Sequence, residues 1–202
     1  LIAIGIDHGS KPGAQRASLL YVSLIGLKPR IHVLDHYRGD GRTESEDDAR
    51  GILAMLERNG IQVADVDLWI GDRAHAGNRW GGVKSNIRLQ EAIAGQLGIN
   101  TRRRRPLWVR DLPGALSEFR KPRKYDGSVW DGCDVLHRAM VGGRFTISPR
   151  AECDPLDHDF ASWQAGKTEP AKDGIDSVRY PGVRLVDLVD QQNHRRVAGA
   201  LQ

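Results

Sequence analysis

Cysteine is scarce in this chain, with only Cys133 and Cys153 among 202 residues. Two thiols do not make a disulfide framework, and neither belongs to a CxxC pair. A reduced, cytoplasmic setting is the default for such usage, with both cysteines expected to be ordinary, semi-buried residues. Long apolar runs are missing too. None approaches the roughly 18 residues that a membrane span requires, and no signal-peptide pattern opens the chain, so no membrane role is expected. There is no internal repeat and no low-complexity segment, which excludes solenoids and compositionally biased tails. The sequence has no initiator Met and starts directly in an apolar run, as expected for an excised domain whose upstream part lies elsewhere.

Forty per cent of the residues are apolar, enough for a core, and the length fits one domain plus a tail. Residues 1–186 are expected to form that domain and 187–202 a C-terminal tail or short helix. The net charge of +4 is modest, from 30 basic and 26 acidic side chains, but the cations are grouped. Arg102, Arg103, Arg104 and Arg105 are consecutive, and a second cluster holds Arg120, Lys121, Arg123 and Lys124. Such runs suit a phosphate backbone, although they equally suit a solvated loop.

The order of elements is readable. Residues 1–7 (LIAIGID) form an apolar strand ending on an acid, and the turn chemistry of GSKPGAQ follows. Residues 17–25 and 30–37 complete a three-strand antiparallel meander. A helix begins at the capping box TESE (Thr43, Glu46), continues with Ala49, Ile52, Leu53 and Leu56 at helical spacing, and stops at Gly60. Residues 66–71 (VDLWIG) form a strand leading to Asp72. Further expectations are a helix at 83–97 closed by Gly98, a fifth strand at 106–110, a helix at 128–141, an extended piece at 144–148, and short helices at 155–163 and 172–180. Three strands, helix, strand, helix, strand and helices is the order of an α/β RNase H-like fold, a mixed sheet with helices on both faces.

The acids fall at telling places. Asp7 ends the first strand and Asp72 the fourth, and these strands are neighbours in that order. Asp173 and Asp176 stand three apart on the late helix KDGIDSVRY and share one face. Carboxylates crowded together repel one another unless a cation is present. Hard cations such as Mg2+ or Mn2+ take oxygen ligands, and two ions about 4 Å apart can serve both ends of a phosphodiester displacement. Any one of these acids could instead be a turn or helix-cap residue.

At IAIGIDHGS, LWIGDRAHAG and AKDGIDSVRY the sequence resembles the nuclease domain of tailed-phage large terminases, and GRFTISPR before the last segment resembles it too. The resemblance spans roughly residues 1–186. It implies metal-dependent endonuclease cutting of concatemeric double-stranded viral DNA during genome packaging, in the host cytoplasm. It implies Asp7 and Asp72 as catalytic metal ligands of two Mg2+ or Mn2+ ions, with Asp173 third and Asp176 a ligand or its close partner. Implied partners are double-stranded DNA, an N-terminal ATPase motor domain, a small terminase subunit and the portal. The chain departs from the family where Pro181 and Gly182 follow Arg179-Tyr180 at once, since proline is expected to stop or kink the helix. Gly174 inside the helix costs a further ~1 kcal/mol.

Around these acids lie accessory candidates. Segment 73–84 (RAHAGNRWGGVK) reads as a basic, glycine-rich loop reaching for DNA, with Arg79 and Lys84 on phosphates and Trp80 at the groove. The cluster Arg120, Lys121, Arg123 and Lys124 is the second expected DNA contact. His8 and His75 could orient water or touch phosphate. His158, in the polar run DPLDHDF, reads as part of a solvated turn. Trp69, Trp108 and Trp163 read as packing residues. The stretch ASWQAGKT mimics a P-loop but lacks the flanking strand and helix that one requires. Two alternatives stay open: another RNase H-like nuclease of resolvase or transposase type, and a non-catalytic DNA-binding module on the same fold.

Overall fold

A computed structural model describes residues 1–7, 15–23, 28–40, 45–71, 79–80, 83–96, 116–117, 129–162 and 174–182. The strands are β1 (Ile2–Asp7), β2 (Arg16–Ser23), β3 (Arg30–Arg38), β4 (Leu68–Gly71), β5 (Arg79–Trp80), β6 (Val83–Lys84), β7 (Leu116–Ser117) and β8 (Phe145–Ile147). The helices are α1 (Ser45–Glu57), α2 (Ser85–Gln96), α3 (Val129–Val141), α4 (Asp154–Ser162) and α5 (174–182).

Six strands form one sheet in the order β7-β4-β1-β2-β3-β8. The meander β1-β2-β3 is antiparallel, while β4 joins β1, β8 joins β3 and β7 joins β4 in parallel. This is the RNase H-like arrangement, with the first and fourth strands adjacent. Residues 106–110, expected as the fifth strand, lie outside the described residues, and the strand beside β4 is Leu116–Ser117. Segment 73–84 is not loop throughout: Arg79–Trp80 and Val83–Lys84 pair as a small antiparallel ribbon.

The period-2 alternation of β1 and β2 divides two cores. On the first face Ile4, Ile6 and Leu19 pack with Ile52 and Met55 of α1, Ile93 of α2 and Trp69 of β4. On the second, Ala3, Leu20 and Val33 pack with Leu136 of α3, Leu156 of α4 and Val178 of α5. Trp69 is thus a core residue, as expected. Helix α1 ends with Gly60 at φ 67, its N–H on the Glu57 carbonyl and the Ile61 N–H on that of Leu56. α3 ends the same way through Gly143, and in each case glycine takes the left-handed position of a Schellman cap.

Two details redirect side chains. First, β3 carries a bulge: Leu19 opposes Asp35 while Leu20 opposes Val33, which leaves Leu34 as the extra residue. The extra residue switches the alternation, so that Asp35 meets Arg58 and Asn59 beyond α1 while His36 meets Ser18 under α5. Second, α5 continues through Pro181 and Gly182, contrary to the stop expected there. The proline has no N–H to give the Ser177 carbonyl, the acceptor four residues back. That carbonyl and the Pro181 ring lie directly on Gly5 of β1, where a Cβ would stand 1.8 Å from the oxygen. Only glycine permits so close a seat for a helix on a strand.

Candidate active site

Asp7 closes β1, is 3% exposed, and follows Gly5 by two positions, so it belongs to the sheet face that α5 covers. The parallel register of β1 and β4 includes Ile6↔Gly71. The residues that follow these two in the sequence are Asp7 and Asp72. Asp72 lies outside the described residues, as does Asp173.

The course of α5 is set by its contacts. Ser177 sits at the row formed by Gly5, Ser18 and His36, and a Cβ on Gly182 would come within 3.8 Å of Ile31 at the start of β3. β3 runs parallel to β1, so α5 runs against both. Its first described residue, Gly174, therefore lies toward the strand end that carries Asp7. Gly174 has its own reason to lack a side chain. The Asp159 carboxylate of α4 occupies that space, 2.3 Å from where a Cβ would be. The helix-interior glycine flagged for its propensity cost is a close-approach site.

Asp176 is buried, and both its oxygens are engaged. Arg179 Nε donates to one at 2.8 Å, and the Tyr180 hydroxyl donates to the other at 3.2 Å. The Arg179 guanidinium lies 4.6 Å from the Tyr180 ring centroid, and its stem crosses Gly132 of α3. Burial alone would lower the Arg179 pKa, but the Asp176 carboxylate outweighs burial and raises it. Nearby, burial pushes the half-buried Cys133 thiol up.

Beneath α5 lies a chain of buried polar groups. His36 Nδ1 and Ser18 Oγ are 2.9 Å apart, Ser18 Oγ and Ser177 Oγ 2.7 Å apart, and Ser177 Oγ donates to the Gly174 carbonyl at 2.6 Å. Burial, aided by the charges of Arg16 and Arg38, drops the His36 pKa to about 3, so the ring is neutral. Across the bulge Asp35 behaves oppositely. Burial would raise its pKa, yet Arg58, Asn59 and the His36 N–H together hold it below the ordinary carboxylate value.

Of the other expected contacts, Arg79 and Lys84 occupy directly opposed positions of the β5–β6 ribbon, which begins seven residues after Asp72. Arg120, Lys121, Arg123 and Lys124 lie outside the described residues, as do His8 and His75. DPLDHDF is not a solvated turn. It is α4 itself, with Leu156 and Asp159 turned inward and His158 exposed. Among the described residues no three His, Cys, Asp or Glu side chains converge on a common point, and no helix is long and apolar enough to cross a membrane. The residues that sequence reasoning missed are Asp159, His36, Ser18 and Ser177. The misplaced glycines, Gly5 in a strand and Gly174 in a helix, were the available signal of close packing.

No protein-family model matches the sequence, and no curated protein matches it. Solved structures do match it, among them two terminase nuclease domains. The nuclease domain of the P22 large terminase is 15% identical, with a TM-score of 0.60 over 92% of this chain and 81% of that one. The nuclease domain of g2p, the large terminase of bacteriophage SPP1, solved with bound Mn, is 17% identical, with a TM-score of 0.49 over 91% and 85%. The chain has the RNase H-like fold of the P22 large-terminase nuclease domain.

Proposed function

We propose that this chain is a divalent-cation-dependent endonuclease, the nuclease domain of a packaging terminase, cutting double-stranded DNA at the edge where β1, β4 and α5 meet. The observation that carries the reading is the parallel register through Ile6↔Gly71, the residues that immediately precede Asp7 and Asp72 in sequence. The direction of α5 supports Asp173, next in the chain to Gly174, as the third acid of that edge. The donor set is all carboxylate oxygen and fits Mg2+ or Mn2+ rather than a softer ion. One or two such ions would supply neutralisation of the scissile phosphate and of the leaving oxygen.

Asp7, Asp72 and Asp173 are the residues assigned to hold the cations. Asp176, with its oxygens on Arg179 and Tyr180, is assigned to fix the helix beside them rather than to bind directly. Arg79 and Lys84, on the ribbon that follows Asp72, and the cluster Arg120, Lys121, Arg123 and Lys124 would grip backbone phosphates, so sequence preference should be weak. The remaining partners in this reading are an ATPase motor domain, a small terminase subunit and the portal, in the cytoplasm of an infected host. The fold shared with the P22 nuclease domain supports it.

The test is supercoiled plasmid with Mn2+ or Mg2+. Nicking and linearisation by the wild type, abolished by EDTA and by Asp7→Ala or Asp72→Ala, is the expected outcome. Cleavage that survives Asp7→Ala would sink the assignment. Binding without cleavage by any form would favour a DNA-binding module.

A further inference from the structure

We infer that His36, Ser18 and Ser177 are positioning residues for the metal site, a directed hydrogen-bond relay that sets where α5 stands along the sheet. The inference rests on the proposed function. The relay crosses three elements, from β3 through β2 to α5, and every member is at most 2% exposed.

Its direction follows from proton counting. Ser177 has one hydroxyl proton and gives it to the Gly174 carbonyl at 2.6 Å. At 2.7 Å from Ser18 Oγ it must then accept, so Ser18 donates to it. Ser18 has no further proton, so the 2.9 Å contact to His36 requires an N–H at Nδ1. His36 is thereby fixed as the Nδ1–H tautomer, with Nε2 an acceptor that has no partner among the described residues.

The far end of the relay is the reason to keep it. It terminates on the carbonyl of Gly174, the residue that follows Asp173 in the chain. Apolar contacts under α5 resist separation from the sheet but are tolerant of sliding. The Ser18–Ser177 hydrogen bond, oriented at one end by His36 and at the other by the Gly174 carbonyl, and the two glycine seats at Gly5 and Gly174 are not. A carboxylate set that must present oxygens to one cation needs that axial precision, and partners that orient metal ligands typically carry ~10–100-fold in affinity or activity when removed.

The experiment is calorimetric titration of the intact chain with Mn2+, with melting temperature recorded for each variant. Ser177→Ala and Ser18→Ala should each weaken Mn2+ binding by ~10-fold. The double variant should be no weaker than the stronger single one, because both break the same relay. His36→Asn keeps an N–H donor near the Nδ1 position and should bind like wild type, whereas His36→Leu should resemble Ser18→Ala. Met55→Ala, in the core of the opposite face, controls for lost stability: it should lower the melting temperature without moving Mn2+ affinity. Unchanged Mn2+ affinity in Ser177→Ala and His36→Leu would overturn the inference while leaving the nuclease reading intact. Absence of Mn2+ binding by the wild type would overturn both.

Discussion

The two faces of the sheet draw on alternate residues of the same strands. To the α1–α2 side, β1 and β2 contribute Ile4, Ile6 and Leu19, all fully buried against Ile52, Met55 and Trp69. To the α5 side, the rows that approach Asp7 contribute Gly5, Asp7 and Ser18, and α5 answers with Ser177 and Pro181. One face is held by apolar area, which is strong and indifferent to small shifts. The other has an apolar core of its own around Leu20, Val33, Leu136 and Val178, but its rows nearest Asp7 are held by bare backbone contact and short hydrogen bonds, which are modest in energy but exacting in geometry. Stability is thus concentrated away from the candidate site, and geometric definition is concentrated beneath it.

Two substitutions should separate these roles. Met55→Ala opens a cavity in the apolar face and should cost ~2–5 kcal/mol, read as a lower denaturant midpoint, with cleavage per folded molecule unchanged. Gly5→Ala adds one methyl group, but it collides with the Ser177 backbone carbonyl, which cannot step aside without moving α5. Its stability cost should be smaller, ~1–3 kcal/mol, yet cleavage should be lost. If Gly5→Ala cuts DNA normally, or Met55→Ala does not, the division between the faces is wrong.

A finer contrast lies across the bulge, where Asp35 is held charged and His36 is held neutral. The folded-state pKa of His36, about 3, stands below its ordinary value of 6.5. Between these values the unfolded chain binds a proton that the folded chain refuses. Stability therefore falls as pH drops through that window, by up to ~1.4 kcal/mol per unit. The groups facing the ring are Arg16, Arg38 and Asp35. Because the Asp35 pKa is lowered, its contribution is present above 3.8 and fades only below it, so it does not cancel the slope. Urea unfolding of wild type and His36→Asn from pH 7 to 4 should show a difference that grows toward the wild type's disadvantage. Parallel curves would mean that His36 already carries its proton when folded.

Much of the fold was legible because apolar periodicity and glycine stops are local signals. Strands β1 to β4 and helices α1, α3 and α4 fall within a few residues of their expected positions. The pairing of β8 with β3 was not legible, since three residues of FTI carry no register information. Nor was the bulge at Leu34, which decides that Asp35 and His36 face opposite ways and has no local marker in HVLDHY. Pro181 misled because its cost was judged within one helix, while the freed carbonyl is accommodated by Gly5, far away in sequence. Asp7 was legible as an acid closing an apolar run. Asp159 was not, because DPLDHDF looks polar throughout until helical geometry turns Leu156 and Asp159 inward together. The relay was invisible for a similar reason: serines in strands and helices are unremarkable until tertiary contact puts three polar groups in line.

The nuclease reading requires the edge bearing Asp7 to bind a divalent cation. The most direct measurement is thermal melting of wild type and Asp7→Asn with and without Mn2+. A cation bound only by the folded state must raise the melting temperature. A Mn2+-dependent rise is expected in the wild type and not in Asp7→Asn. An equal rise in both proteins, or none in either, would contradict it.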